Sequence, residues 1–210
     1  MIYVFVPYYH EDTPEFKKSL ESQTVPYRLI KRDRKKSKIL WTKAVNDFWE
    51  DSFNWGKDDD VVCIMNNDIE FDVELFEEGS EVSIGECYVP QGNQVQIDWQ
   101  NKKFTEGLRI DGFYGRCFFL TLHDFKQTKF SRLLPHALAD IDFSIRVVNK
   151  IDTTLMGCHI IHDRHSYQDC SKWSWRSYDN PIVWTIFLLR HPNRYTLLNI
   201  ARCWYDGIFR

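Results

Sequence analysis

The chain has 210 residues, 43% hydrophobic and 16% aromatic, enough for one sizeable core and short of what two domains usually need. Lys and Arg total 27 against 30 Asp and Glu, a net charge of −3, which argues against a general nucleic-acid binder and requires any polyanion to be met by a local basic patch. Six cysteines are scattered without a C-x-x-C pair, several inside apolar runs, as expected of a reduced chain in the cytoplasm.

The apolar start IYVFVPYY lacks a basic leader segment and breaks at His10-Glu11-Asp12, so it reads as a first strand rather than a signal peptide or membrane span. Thr13-Pro14-Glu15 supplies an N-cap followed by proline at the first helical position, which predicts a helix ending before Val25-Pro26. YRLIKRD reads as a second strand, ILWTKAVNDFWEDSF as a second helix and DVVCIM as a third strand. This β-α-β-α-β order predicts an α/β fold with a largely parallel, mixed central sheet flanked by helices. Further strands are predicted at ECYVPQ, QVQIDW, RCFFLTL and CHIIHD, and a helix at ADIDFSIRVVNK. The last thirty residues read as two helical segments parted by His191-Pro192. A single domain is expected, with residues 1–68 as a nucleotide-binding half, 69–180 as an acceptor and catalytic half, and 181–210 as C-terminal helices.

The third strand ends in Asn66-Asn67-Asp68, followed by Glu70 and Asp72. Ligands of open α/β sheets bind outside the carboxyl ends of the strands, where Asp68 could hold a hard cation together with a ligand's phosphate oxygens. The same residues also favour turns through their own hydrogen bonds. The basic run KRDRKKSK, residues 31–38, reads mostly as a solvated face, with Lys38 and Lys43 as candidate phosphate contacts.

The order of elements, together with SLESQT at 19–24, KAVNDFW at 43–49 and the strand-end N-N-D, resembles a family-2 inverting glycosyltransferase of the GT-A, Rossmann-like, nucleotide-diphospho-sugar transferase fold. The resemblance covers roughly residues 2–166, and Phe48 stands where that family has glycine. It implies Asp68 as the metal-binding carboxylate of a degenerate D-x-D motif beginning at Asn66, with Glu70 in reserve. It also implies Pro7, Tyr8 and Asp33 at the nucleotide base and ribose. ADIDFSIR at 139–146 is similar to the family's E-D-x-D segment, which places Asp140 as the base, Asp142 as the second acid and Arg146 as the arginine, with Ala139 in place of the usual Glu. Asp140 is equally placed to cap that helix, and Asp142 to favour its positive end. IDGFYGRCFFL at 110–120 resembles the glycine-containing segment beneath the sugar, making Asp111 and Gly115 candidate contacts. His162 matches the family's late metal-binding histidine, with His159 and His165 as substitutes.

The implied activity is transfer of a hexose or deoxyhexose from a nucleoside diphosphate sugar, UDP-linked by expectation, to a saccharide hydroxyl, with Mn2+ or Mg2+ and inversion. The N-N-D form is familiar in rhamnosyltransferase-like relatives. Trp173 and Trp175 are a possible acceptor platform, although tryptophans are core residues by default. Leu197, Leu198, Ala201, Trp204 and Ile208 recur at helical spacing beside Arg194 and Arg202, a stripe suited to its own domain, a neighbouring domain or a membrane surface. The chain looks like the first domain of a larger multidomain glycosyltransferase of the large-algal-virus type, which would place it in the host cytoplasm. A nucleotide-sugar pyrophosphorylase is disfavoured because VPYYHEDT contains no glycine, and a phosphoaspartate transferase because Asn66 cannot be its nucleophile. A non-catalytic carbohydrate- or nucleotide-sugar-binding module remains the alternative.

Overall fold

The computed structural model describes residues 1–98, 103–105, 110–162, 174, 180–192 and 194–209. Along β1 (Ile2–Tyr8), Ile2, Val4 and Val6 enter one apolar cluster while Tyr3 and Phe5 enter another, so a near-continuous apolar run is buried on both faces. Thr13 caps α1 (Pro14–Glu21) by accepting the Phe16 N–H at 3.2 Å, a contact of the kind that adds about 1 kcal/mol to a helix. The chain continues through β2 (Tyr27–Asp33), a one-turn α2 (Arg34–Ser37), α3 (Trp41–Ser52), β3 (Val61–Met65), β4 (Ile69–Phe71) and α4 (Leu75–Gly79). Then follow β5 (Glu86–Gln91), β6 (Gln94–Asp98), β7 (Lys103–Thr105), β8 (Gly112–Phe113), β9 (Cys117–Thr121) and α5 (Leu122–Gln127). The last elements are α6 (Ala139–Val148), β10 (Asp152–His162), α7 (Pro181–Arg190) and α8 (Arg194–Phe209).

The main sheet has the order β2-β1-β3-β9-β5-β10-β4. β1 runs parallel to β2 and β3, β5 runs parallel to β10, and β9 runs antiparallel to both β3 and β5. Therefore β2, β1, β3, β5 and β10 all point the same way, and their carboxyl ends share one edge with the start of β9. A small sheet, β7-β6-β8, lies against α6. The fold is thus a mixed α/β arrangement, largely parallel and flanked by helices, consistent with a Rossmann-like plan.

Aromatic packing holds the layers. Phe48 stacks on Phe5 at 4.2 Å between ring centroids, filling the volume that a glycine at this position would leave empty. Phe130 stacks on Phe143 of α6 at 3.9 Å. The quoted sequence motifs do structural work here. Ser19 Oγ accepts the Phe71 N–H, Gln23 bridges the Asp72 carbonyl and the Phe76 N–H, and Asn46 pairs with both backbone groups of Phe130. Cys63, Cys87, Cys117, Cys158 and Cys203 are buried free thiols. No helix among the described residues is long and apolar enough to cross a membrane.

Three differences from the sequence expectations have physical reasons. The short β4, α4 and α5 carry too few residues to print a period. β10 begins at Asp152, well before CHIIHD, because Thr153, Thr154 and Leu155 pair with β5 even though several of its side chains face solvent. The basic run is broken by α2, which Asp33 caps by accepting the Lys36 N–H at 2.8 Å.

Candidate functional site

The common edge gathers residues that are remote in sequence. Met65 ends β3, and the chain turns through Asn66, whose N–H donates to the Arg116 carbonyl at 2.8 Å. Buried Asn67 donates to the His10 carbonyl and to Asp12, which fixes the turn against the loop after β1. Asp68 then stands beside His162 at the end of β10, with Oδ2 3.3 Å from Nε2. The side chains are 24% and 5% exposed, so the imidazole is enclosed and the carboxylate reaches the open side. Ile69 pairs with His162 across β4 and β10, which sets this register. Glu70 pairs instead with Ile161, and both are exposed on the other face. His159 lies with Asp72 rather than Asp68: its backbone N–H donates to Asp72 Oδ2 at 2.7 Å, and its ring Nδ1 is 3.6 Å from the same oxygen. His165, Trp173 and Trp175 lie outside the described residues.

Asp140 reaches the same edge from α6. Leu138 enters this helix in the left-handed conformation, φ 60°, a strain of about 1–2 kcal/mol that the burial of its side chain offsets. Asp140 Oδ2 accepts the Gly115 N–H at 2.9 Å, and Oδ1 accepts the Ile141 N–H at 3.0 Å. A Cβ on Gly115 would lie 2.9 Å from Trp41 and 3.0 Å from the Asp140 Cβ, so the absent side chain lets the backbone approach its own aspartate. Burial raises the Asp140 carboxyl above the ordinary range, against the opposing pull of these two N–H groups and the Arg116 charge.

Asp142 lives differently. Its carboxylate is wholly buried and takes Arg146 at 3.0 Å, Arg190 and the His191 ring at 3.0 Å. Burial pushes this group up too, yet hydrogen bonds from His191 and Arg190 and the nearby guanidinium charges outweigh it, leaving it below the ordinary range. Asp142 ties α6 to the end of α7. Ala139 is buried with Val183, Trp184 and Phe187 of that helix, so its methyl fills a place where a carboxylate would be desolvated.

At the other end of the edge, Tyr8 pairs with Asp33 across β1 and β2, and burial together with the Asp33 carboxylate raises the phenol above its ordinary range. Lys31 lies 4.7 Å above the Tyr8 ring and is paired with Asp12. The Pro7 carbonyl accepts Arg34 Nε at 3.1 Å. Pro7, Tyr8 and Asp33 are therefore neighbours. Lys38 is exposed at the left-handed end of α2, and Lys43 is engaged with Asp47 on the outer face of α3. Asp111 stands just before β8, its N–H on the Val95 carbonyl, four residues from Gly115. The sequence reading misses Arg116, Asn93 and the left-handed Leu138. Asn93 is buried and its amide donates to the carbonyls of Tyr114 and Cys117, holding the Gly115-Arg116 segment, and nothing in its local pattern distinguishes it from a turn asparagine.

The chain is thus a mixed α/β protein, consistent with a Rossmann-like plan, with acidic and imidazole groups at the carboxyl edge of its sheet. No protein-family model matches the chain, and no curated protein matches it. Twenty chains of solved structures do match, among them the crystal structure of A197 from STIV, at 12% identity and a TM-score of 0.46, covering 77% of this chain and 85% of that one. A likeness this distant bears on neither fold family nor function. Among the described residues no cluster of three or more His, Cys, Asp or Glu is poised around a metal position.

Proposed function

We propose that the chain is a GT-A-type inverting glycosyltransferase that moves a hexose or deoxyhexose from a nucleoside diphosphate sugar, UDP-linked, to a saccharide hydroxyl. What supports this reading is one placement: Asp68 and His162 meet at the carboxyl edge, and Asp140 is tied to the same edge through Gly115, Arg116 and Asn66. Asp68 Oδ2 and His162 Nε2 lie 3.3 Å apart, a carboxylate oxygen and an imidazole nitrogen close enough to serve one cation. These two would hold Mn2+ or Mg2+, with the remaining ligands coming from diphosphate oxygens. A bound cation supplies charge that the departing diphosphate needs.

Asp140 is the base of this proposal. Its carboxylate takes the proton from the acceptor hydroxyl as that oxygen bonds to the anomeric carbon and the carbon–oxygen bond to the diphosphate breaks. Two backbone N–H groups hold it in place, and burial strengthens its hold on the proton. Pro7, Tyr8 and Asp33 would face the nucleoside. The replacement of Glu by Ala139 and of the first motif Asp by Asn66 favours a second reading, a carbohydrate- or nucleotide-sugar-binding module without turnover. Incubation with a panel of nucleotide sugars separates them. The enzyme releases UDP from one donor in the presence of Mn2+, and Asp140→Asn binds that donor without transfer; a protein that binds a donor and releases nothing is the module.

A further inference from the structure

The basic groups around the edge are mostly spoken for. Lys31 is paired with Asp12, Lys43 with Asp47, and Arg34 donates to the Pro7 carbonyl and lies over the Tyr9 ring. Arg116 differs. It precedes β9, and three contacts place it between the other site residues. Its carbonyl accepts from Asn66, two residues before Asp68, and its neighbour Gly115 donates to Asp140. Its side chain reaches the Gly92 carbonyl at 3.3 Å, and Gly92 itself abuts the backbone of Ile160, two residues before His162: a Cβ on Gly92 would lie 2.5 Å from the Ile160 carbonyl oxygen.

The guanidinium lies 4.4 Å from the centre of the Tyr114 ring, a cation–π contact that helps to position it. Of five N–H donors, the Gly92 carbonyl takes one. Among the described residues no carboxylate forms an ion pair with it. A half-buried guanidinium that is centrally placed and, among the described residues, in no close ion pair is suited to take a planar or tetrahedral oxyanion by two parallel hydrogen bonds.

We infer that Arg116 is the oxyanion receptor of this edge and contacts the diphosphate of the nucleoside diphosphate ligand, an assignment that rests on the donor class proposed above. There it would supply a second positive charge to the departing diphosphate, on the Asp140 side of the site. Its effect on Asp140 has the same origin, since its charge opposes the rise that burial causes there.

The test is titration of the full chain, first metal-free and then with Mn2+, with inorganic pyrophosphate, UDP and uridine, for the wild type, Arg116→Gln and Arg116→Lys. Gln retains an N–H for Gly92, and equal melting temperatures show that the fold is kept. The expected result is a loss of about tenfold to a hundredfold for pyrophosphate and UDP in Arg116→Gln, with uridine binding unchanged and Arg116→Lys in between. Wild-type affinity of Arg116→Gln for pyrophosphate overturns the inference while leaving the glycosyltransferase reading intact. Pyrophosphate binding that needs Arg116 but gains nothing from the nucleoside or from Mn2+ keeps the receptor and overturns the donor class. Binding of neither anion to the wild type overturns both.

Discussion

Asp140 and Asp142 lie two residues apart in the first turn of α6, and the regions they face treat them in opposite ways. On the crevice side, Asp140 meets only backbone N–H groups and the field of one arginine, so burial prevails and its carboxyl rises. On the side packed against α7, Asp142 meets two guanidinium groups and an imidazole, which prevail over a complete loss of solvent. The lesson is that position on a helix does not assign a role to an acid. The groups around it do: one is held toward its protonated form, and the other is locked as an anion that fastens two helices together.

The contrast is broken most severely at Asp142. Asp142→Ala leaves Arg146, Arg190 and His191 without their carboxylate and is expected to cost about 3 kcal/mol or more in urea unfolding. A cost below about 1 kcal/mol would mean that α7 is not fastened to α6 here. Gly115→Ala comes next, with an expected loss of about 1–3 kcal/mol because the new methyl group must displace Trp41 or Asp140.

Asp140→Asn has the smallest effect on stability, within about 1 kcal/mol, and a distinctive sign. A raised carboxyl pKa means that the native state holds the proton more tightly than the unfolded chain does. That contribution is complete below the unfolded pKa and is lost as pH rises through the folded one. Melting curves should therefore show the Asn variant gaining on the wild type as pH climbs through that window. Asp142, with its lowered pKa, contributes above the unfolded value and loses its contribution as pH falls through the folded value. Parallel pH profiles for Asp140→Asn and the wild type would remove the asymmetry between the two acids.

Much of the fold was legible because its elements advertise themselves. The Thr13-Pro14 cap, the apolar run ending at Met65 and the break at His191-Pro192 are local signals, and the elements lie where those signals put them. The meeting of Asp68 with His162 was legible only through resemblance, since the two are joined by the pairing of β4 with β10 and β4 is three residues long. Gly115 drew notice as a glycine, but its reason is the closeness of Trp41 and Asp140, which no local pattern encodes. Arg116 stayed hidden because an arginine before a strand is ordinary until its neighbours in space are known. The α7 partners of Asp142 lie 48 and 49 residues away and follow no spacing rule.

The central claim is that Asp68, His162 and Asp140 border one pocket for a metal-bound nucleoside diphosphate. Paramagnetic broadening by Mn2+ in NMR spectra of the labelled chain, recorded with and without UDP, tests it most directly. With UDP present, signals of Asp68, His162 and Gly115 should broaden together at low Mn2+, and Asp68→Ala should abolish the effect. Broadening centred on other residues, or broadening that Asp68→Ala leaves untouched, would contradict the account.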